Sequence, residues 1–312
     1  MSDREVRGDV EIAADHKGKT LVIVNVLSVE EYLYGVLAAE MPVQWPLEAL
    51  KAQAVMARDV GLYRSREMKI HKRWGYDVCD EQHCQVYNGV GVESEKVRTA
   101  VDATRGRVLL YNGNLCHTVF SSNCGGMTQS GPEAGWTDVP YWKSVSDART
   151  EVKTPKSPWE WKRWVQQAPD VYCKGSQYVW RPEYRWMRVV PAETIAAKLA
   201  RKKKLGRVKQ IYVVKRARSG SVQRVRVVGT KGEIILSKEE QIRHYLGLGS
   251  LRSNLFFVQT VVRDNKAERF IFWGGGWGHG VGFCQSGAAG RAEDGASYQE
   301  ILQAYFPGTV LR

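Results

Sequence analysis

A short helical segment closed by a proline is the feature that most limits how this chain can fold. It reads VEEYLYGVLAAEMP, residues 29–42. Ser28 and Glu31 form the capping-box pattern, so the helix is predicted to begin at Val29. Its apolar residues recur every three or four positions and form one inward stripe: Val29, Tyr32, Leu33, Val36 and Leu37. Glu40 continues that stripe, which predicts an inward carboxylate at the C-terminal end of the helix.

Two effects disfavour the anionic form of the Glu40 carboxyl. Burial and the negative end of the helix dipole both raise the pKa of a carboxyl group. A carboxyl that keeps its proton near neutral pH can serve as a general acid. The alternative is a structural ion pair with a nearby arginine, for which Arg58 is the candidate. Spacing alone leaves both interpretations open.

The following segment predicts a second amphipathic helix. It reads PLEALKAQAVMARDVGLYRSR, residues 46–66, and its small residues permit close helix packing. Its predicted inner side contains Leu47, Leu50, Ala54, Ala57, Gly61 and Leu62. Gln53 and Arg58 are polar positions that could reach the same cleft as Glu40, or could be ordinary solvated residues.

The remainder of the chain predicts an α+β fold, with mixed helices and mostly antiparallel strands around a catalytic cleft. Residues 207–237 alternate apolar and polar side chains around Gly and Ser turns, as in a β-meander. The segment from about 150 to 210 differs in character, being rich in tryptophan and basic residues. We therefore expect residues 1–150 and 261–312 to form two parts of one domain, and residues 151–260 to form an inserted, β-rich subdomain.

The charge of the chain favours an anionic partner. Lys and Arg number 46 against 33 Asp and Glu, a formal net charge of +13. Nucleic acid, anionic lipid headgroups or an acidic cell-wall polymer would suit this charge, which could also serve solubility alone. The basic run ARKKKLGRVKQ, residues 200–210, has no zinc-finger, recognition-helix or RNP motif beside it. Nucleic acid is therefore not an expected partner.

No stretch of about 18 apolar residues predicts a membrane span, and the first residues lack the apolar run of a secretory signal. The expectation is that the protein stays inside the cell or that a leader was removed.

The cysteines allow several interpretations. Six are too few for a disulfide scaffold, and fit one metal site, one or two disulfides, or buried thiols: Cys79, Cys84, Cys116, Cys124, Cys173 and Cys284. His71, Cys79, His83 and Cys84 fall within fourteen residues, and thiolate and imidazole are zinc ligands. No CxxC pair is present, so a disulfide between Cys79 and Cys84, or free thiols, is the alternative.

Two glycine-rich blocks suit a glycan groove better than a phosphate site. WGGGWGHGVGFCQSGAAG, residues 273–290, contains neither GxGxxG nor a P-loop, so no nucleotide cofactor is expected. Its candidate sugar contacts are Trp277, His279, Gln285 and Ser286. FSSNCGGMT, residues 120–128, adds Ser121 and Ser122. The alternative for the first block is a packed turn with His279 bonded into the core, and Trp136 and Tyr141 could be either a stacking platform or core.

Five blocks taken in order resemble the SpoIID/LytB family of bacterial cell-wall proteins: VEEYLYGVLAAEMP, LEALKAQAVMAR, YDVCDEQHCQVYNG, FSSNCGGMT, and GWGHGVGFCQSGAAGRAEDGASYQEILQAYFPGT. The resemblance implies that Glu40 is the acid and base of a lytic transglycosylase. Such an enzyme cleaves the β-1,4 bond between N-acetylmuramic acid and N-acetylglucosamine and leaves a 1,6-anhydro end. Because the sugar's own 6-hydroxyl attacks, one carboxylate suffices, whereas ordinary glycosidases need two. Asp59, Asp102 and Asp147 are possible helpers, and the alternative for each is an ordinary helix, cap or turn residue.

The resemblance also implies a site and partners. Some members hold a zinc ion with one His and two Cys near the catalytic Glu; Cys79 and Cys84 match that pattern. His71 precedes them at a longer interval than expected, and His83 competes with it. Ser121, Ser122, His279 and Gln285 would line the cleft. Arg58, from its helix position, and Trp277 and Ser286, from the composition of the glycine-rich tail, are further candidate substrate contacts.

The implied location is extracytoplasmic, in the cell wall or periplasm. Peptidoglycan strands would be the substrate, and a cell-wall amidase or a membrane anchor would be a partner. The alternative function, attached to the LytB side, is a noncatalytic wall-binding protein that enhances an amidase.

Overall fold

Helices and small, mostly antiparallel sheets make up the protein, so the α+β prediction is confirmed. The structure, a computed structural model, describes residues 4–15, 17–150, 153, 155–167 and 169–312. The helices are α1 (Val29–Glu40), α2 (Leu47–Tyr63), α3 (Glu95–Asp102), α4 (Gly131–Ala134), α5 (Pro158–Gln167), α6 (Tyr172–Gly175), α7 (Arg181–Tyr184), α8 (Ala192–Leu199), α9 (Glu239–Leu246), α10 (Gln285–Glu293) and α11 (Tyr298–Tyr305).

The strands are short, with two to ten residues each. They are β1 (Asp9–Ala14), β2 (Leu21–Val26), β3 (Leu109–Tyr111), β4 (Asn114–Leu115), β5 (Phe120–Ser121), β6 (Arg185–Pro191), β7 (Val208–Arg216), β8 (Val222–Gly229), β9 (Gly232–Leu236), β10 (Phe256–Arg263), β11 (Lys266–Gly275), β12 (Phe283–Cys284) and β13 (Val310–Leu311).

The chain divides into two compact units. Unit 1 contains Met1–Val119 and Arg291–Arg312, and unit 2 contains Phe120–Gly290. The predicted boundaries at residues 150 and 260 therefore do not coincide with the boundaries of these units. What was expected to be an insertion of about 110 residues is a larger unit that also contains both glycine-rich blocks.

Unit 1 is built around α2. The sequence predicted one apolar side for this helix, but almost its whole circumference is buried between Ala49 and Val60, because α1, α3 and α11 all pack against it. Strands β1 and β2 form an antiparallel hairpin, and β13, β3 and β4 form a second small sheet. The C-terminal segment thus returns to unit 1, where β13 pairs with β3.

Unit 2 contains two three-stranded sheets that share a core with α8 and α9. The predicted meander is confirmed as β7, β8 and β9, all antiparallel. The second sheet has the order β10–β11–β6. A parallel pair, β5 with β12, joins the two glycine-rich blocks through two residues of each strand.

Within the described part of the chain, no helix has both the length and the apolar character needed to cross a membrane.

Candidate functional site

Helix α1 has the predicted bounds. Both hydrogen bonds of the capping box between Ser28 and Glu31 are present, and the last helical residue is Glu40. Leu33, Val36 and Leu37 are completely buried, as the stripe predicts. Val29 is the exception, since 37% of it is exposed. The inward stripe therefore begins one turn later than predicted and leads to Glu40.

The Glu40 carboxyl is partly buried and bonded to the backbone. Its Oε1 accepts a hydrogen bond from the Val86 N–H at 3.0 Å. Burial raises the pKa of Glu40, and the Val86 N–H opposes that shift because it favours the anion. The predicted rise in the pKa is thus confirmed, and the Val86 N–H can stabilise the charged form of the group.

Arg58 does not pair with Glu40. Its guanidinium binds the Glu30 carboxylate through Nε at 3.0 Å and Nη2 at 2.6 Å, and Nη1 donates to the Arg107 carbonyl at 3.0 Å. Only 1% of Arg58 is exposed. The prediction that Arg58 contacts substrate is therefore wrong: it ties α1 and the turn after α3 to α2.

The loop that carries Val86 is held against both helices. Gln85 donates to the Ala57 carbonyl of α2 at 3.1 Å, and the Asn88 N–H donates to the Gly35 carbonyl of α1 at 3.2 Å. The Tyr87 ring packs directly against Gly35, and a Cβ added to Gly35 would lie only 2.4 Å from the nearest ring atom. Glycine is thus required at position 35 for this contact. The contact in turn helps to hold the neighbouring Val86 N–H against the Glu40 carboxyl.

Tyr32 adds a buried hydroxyl to this part of unit 1. Among the described residues its hydroxyl has no hydrogen-bond partner. Burial raises the pKa of Tyr32, and the charges of Cys84 and Glu40 raise it further. The helical spacing alone identifies Tyr32 only as an apolar stripe residue. Its position eight residues before Glu40, on the same side of α1, is the signal that could have identified it.

The four predicted metal-ligand candidates do come together. Their ligand atoms all lie within 4.8 Å of one another. His71 Nε2 is 3.3 Å from Cys84 Sγ, and His83 Nδ1 is 3.7 Å from Cys79 Sγ and 3.8 Å from Cys84 Sγ. All six cysteines are thiols rather than disulfides. Two thiols and two imidazoles at these distances fit a tetrahedral zinc ion.

An open groove lies beside this cluster in unit 1. Its volume is about 1400 Å³, and its lining includes residues of β1 and β2 together with Tyr32, Tyr76, Cys79 and Tyr87. Aromatic side chains suit the apolar faces of sugar rings. The groove therefore offers an extended ligand access to the cluster and to Tyr32.

In unit 2, the His279 side chain links the two glycine-rich blocks through hydrogen bonds. Its Nε2 donates to the Phe120 carbonyl at 2.8 Å, and its Nδ1 accepts from the Val281 N–H at 3.0 Å. Burial lowers the pKa of His279 to about 4, so the ring is neutral at pH 7. Because both ring nitrogens are bonded inside the protein, neither is left to bond a substrate, and this favours the packed-turn alternative for His279.

The neighbouring polar residues of unit 2 are mostly enclosed. Ser286 is completely buried, and its hydroxyl donates to the Ser122 carbonyl at 2.6 Å. Gln285 is 7% exposed and Ser121 is 6% exposed, and the Ser121 hydroxyl has no hydrogen-bond partner among the described residues. The Ser286 hydroxyl thus forms a hydrogen bond within the protein. Ser121, Ser122 and Gln285 stay candidates for substrate contacts.

Trp277 belongs to an exposed aromatic group that the sequence did not reveal in full. It is 36% exposed and Trp180 is 56% exposed, with their ring centroids 6.2 Å apart. The Arg252 guanidinium lies 4.1 Å from the Trp277 ring and 5.0 Å from the Trp180 ring. Of the two other aromatic candidates, Trp136 is 36% exposed, whereas Tyr141 is 7% exposed and belongs to the core.

The three aspartates considered as helpers have structural partners. Asp59 is completely buried and accepts from the Leu109 N–H at 3.2 Å. Asp102 accepts from the Tyr34 hydroxyl at 2.7 Å. Asp147 is buried and accepts from the Cys173 N–H at 2.9 Å.

Comparison with known families identifies two regions. A family model described as stage II sporulation protein (SpoIID) matches residues 17–111, which lie in unit 1. A model described as a domain of unknown function (DUF8618) matches residues 135–282, which lie in unit 2.

Curated relatives match most of the chain. It is 32% identical to the amidase enhancer of Bacillus subtilis over 89% of this chain and 40% of that protein. It is 31% identical to an uncharacterized protein of Brachyspira hyodysenteriae over 93% of this chain and 68% of that protein. It is 30% identical to stage II sporulation protein D of Bacillus subtilis over 91% of this chain and 74% of that protein. The chain thus spans less than half the length of the amidase enhancer and about three quarters of the sporulation protein.

Proposed function

The chain belongs to the SpoIID/LytB family, and from this membership we propose that it is a peptidoglycan lytic transglycosylase with Glu40 as its single acid and base. The observation that carries the proposal is the environment of the Glu40 carboxyl: partial burial raises its pKa, while one backbone N–H remains bonded to it. Burial favours the protonated carboxyl that can donate, and the hydrogen bond from the backbone N–H favours the anion that forms after donation.

In the proposed reaction, Glu40 donates its proton to the glycosidic oxygen as the bond from that oxygen to C1 of N-acetylmuramic acid breaks. The N-acetylglucosamine leaves with a free 4-hydroxyl. The 6-hydroxyl of the muramic acid then bonds to C1, and the Glu40 carboxylate takes its proton. The carboxyl group is restored, no water is consumed, and the product carries a 1,6-anhydro ring. The Val86 N–H stabilises the carboxylate between the two proton transfers.

The donor set in unit 1 fits a zinc ion. His71, Cys79 and Cys84 would hold it, with His83 as a fourth ligand or as a replacement for His71. When bound, zinc would supply a positive charge and a crosslink within residues 71–84. Val86, the donor to Glu40, lies two residues after Cys84. We therefore propose that these ligands position the loop on which the Glu40 carboxyl depends.

The test uses purified protein and isolated glycan strands, intact or stripped of stem peptides. We expect the wild type to release products with 1,6-anhydro ends, detected by mass spectrometry, and Glu40→Gln to lose activity by about a hundredfold to ten-thousandfold. Glu67→Gln is the matched control, because Glu67 is an exposed residue of unit 1. Equal product from wild type and Glu40→Gln would show that Glu40 is not the acid.

The second candidate function is enhancement of a cell-wall amidase without catalysis. It is favoured by the name of one relative, the amidase enhancer of Bacillus subtilis. In that case neither the wild type nor Glu40→Gln would yield anhydro products, and both would stimulate a partner amidase equally on isolated walls. Under either function we place the protein outside the cytoplasmic membrane, at the cell wall or in the periplasm.

Glycan contacts in unit 2 are part of the same proposal. Trp277 and Trp180 are partly exposed and both lie against the Arg252 guanidinium, and such aromatic rings suit stacking on sugars. Ser121, Ser122 and Gln285 remain candidates for hydroxyl and acetamide groups.

A further inference from the structure

A second group of metal-ligand side chains lies entirely within unit 2. It consists of Cys124, Asp147, Cys173 and Cys284, and its four ligand atoms all lie within 4.8 Å of one another. Cys124 is 6% exposed, and the other three are completely buried. The sequence pattern indicates no shared role for these cysteines, because Cys173 lies 49 positions and Cys284 lies 160 positions after Cys124.

The spacing of the sulfur atoms matches ligands around one ion. Cys124 Sγ and Cys173 Sγ are 3.8 Å apart. In a tetrahedral site with Zn–S bonds of about 2.3 Å, the sulfurs lie about 3.8 Å from each other. A disulfide requires an S–S distance of about 2.05 Å, and three cysteines would leave one thiol unpaired.

Backbone donors already point at the ligand atoms. Cys284 Sγ accepts from the Cys124 N–H at 3.2 Å and from the Gly287 N–H at 3.3 Å. Asp147 Oδ2 accepts from the Cys173 N–H at 2.9 Å. Such hydrogen bonds orient thiolate and carboxylate ligands and compensate their negative charge in metal sites.

A positive charge lies close to the group. The partly buried side chain of Arg185 donates to the Gly125 carbonyl at 3.1 Å, in the turn that directly follows Cys124. Three thiolates and a carboxylate carry more negative charge than one divalent ion can neutralise, and the guanidinium offsets part of the excess.

We propose that Cys124, Asp147, Cys173 and Cys284 bind one zinc ion in a closed structural site. Three soft sulfur ligands favour zinc over magnesium or calcium, and the carboxylate oxygen favours zinc over copper(I). Four protein ligands leave no open position for substrate. The ion joins the turn after β5, the end of β12, α6 and the segment that carries Asp147, and it reinforces a β5–β12 pairing of only two residues.

The test removes the other cluster and leaves this one intact. Cys79→Ser/Cys84→Ser protein is purified without added zinc or metal-affinity resin, and its metal content is measured by mass spectrometry. We expect about one equivalent of zinc in this variant. X-ray absorption should show three sulfurs at about 2.3 Å and one oxygen at about 2.0–2.2 Å. The wild type should hold two equivalents if the His71 cluster also binds zinc, and one if only the unit 2 site does.

Two single variants complete the test. Cys173→Ser should lose the unit 2 equivalent and melt at a lower temperature, whereas Cys116→Ser, at a buried cysteine outside both clusters, should keep it. Well under one equivalent of metal in Cys79→Ser/Cys84→Ser, with three titratable thiols or a disulfide among the unit 2 cysteines, overturns the proposal. Another metal bound at one equivalent overturns the assignment to zinc.

Discussion

At the scale of single residues, burial and a backbone hydrogen bond act on the Glu40 carboxyl in opposite directions. Burial penalises its anion, and the Val86 N–H stabilises it. A carboxyl that must first donate and then accept a proton works best when neither state is strongly preferred. A fully buried partner such as Arg58 would hold the anion permanently, and the structure directs that arginine to Glu30 instead.

Tyr32→Phe should separate activity from stability. The Tyr32 hydroxyl is buried and has no hydrogen-bond partner among the described residues, so its removal should raise the free energy of unfolding by about 1 kcal/mol. The hydroxyl lies close enough to Glu40 to feel its charge, so if it helps to position that carboxyl, cleavage of glycan strands should fall about tenfold.

Tyr34→Phe is the matched control for that experiment. Tyr34 is also on α1, and its hydroxyl donates to Asp102 at 2.7 Å. Its removal should leave cleavage unchanged and should not stabilise the protein. Denaturant unfolding and the product assay measure both effects. Unchanged cleavage by Tyr32→Phe would exclude a role for the hydroxyl.

Asp59→Asn should change how stability depends on pH. Burial raises the pKa of Asp59 well above its ordinary value. Its stabilising contribution is therefore complete below the unfolded carboxyl pKa of about 3.9, and it is lost as pH rises through the folded pKa. The wild type should lose up to about 1.4 kcal/mol per pH unit in that range, and Asp59→Asn should not.

Denaturant unfolding between pH 4 and 9 measures this slope. Asp102→Asn is the control, because hydrogen bonding to Tyr34 lowers the pKa of Asp102 and its contribution is lost as pH falls. That variant should keep the wild-type slope above pH 5. Identical slopes for wild type and Asp59→Asn would contradict the prediction.

At the scale of secondary-structure elements, the glycines of α1 and α2 decide how closely other groups approach. A Cβ on Gly35 would lie 2.4 Å from the Tyr87 ring, whereas a Cβ on Gly61 would lie 3.4 Å from Tyr32. Both glycines are inside helices, where alanine is preferred by about 0.5–1 kcal/mol. The same substitution should therefore have opposite results at the two positions.

Gly35→Ala should destabilise the protein by about 1–3 kcal/mol, because the buried Tyr87 ring must move. Movement of Tyr87 would displace the Val86 N–H from Glu40, so cleavage should also fall. Gly61→Ala should retain activity and unfold at the same or a higher denaturant concentration. A Gly35→Ala protein as stable and as active as wild type would refute the proposed role of this approach.

Elements governed by local signals were predictable from the sequence, and contacts between distant elements were not. The bounds of α1 follow from Ser28, Glu31 and the proline at 42. The parallel pairing of β5 with β12 joins segments about 160 residues apart, and no local pattern encodes it. The same holds for the unit 2 cysteines, which three separate segments bring together.

The error with Arg58 has a simpler origin. Only a short connection separates α1 from α2, which favours an antiparallel helix pair. The C-terminal half of α2 then lies beside the N-terminal half of α1, where Arg58 meets Glu30 and Gly61 approaches Tyr32. The length of the connection could have excluded a pair between Arg58 and Glu40.

At the scale of the whole molecule, both ends of the sequence contribute to unit 1. The Tyr298 N–H donates to the Glu48 carboxylate at 2.8 Å, and β13 pairs with β3. The first and last of the five blocks that resemble the SpoIID/LytB family are therefore not two separate modules. The C-terminal block is divided between unit 2, which holds its glycine-rich part, and unit 1, which holds α11.

The net charge of +13 should govern binding to whole cell walls. Lys202, Lys203 and Lys204 are exposed, and their replacement by Glu reverses three positive charges at the surface of unit 2. We expect this triple variant to sediment with isolated walls several-fold less than wild type at about 50 mM NaCl. The difference should disappear near 1 M NaCl, where the Debye length is about 3 Å.

Walls stripped of their anionic polymers are the control for that comparison, since both proteins should bind them equally at low salt. Cleavage of isolated glycan strands should change little in the triple variant, because the reaction depends on Glu40 rather than on this surface charge. Equal sedimentation of both proteins with intact walls at low salt would mean that these lysines do not contact the wall. Contact would then have to come from other basic residues or from uncharged surfaces such as Trp180 and Trp277.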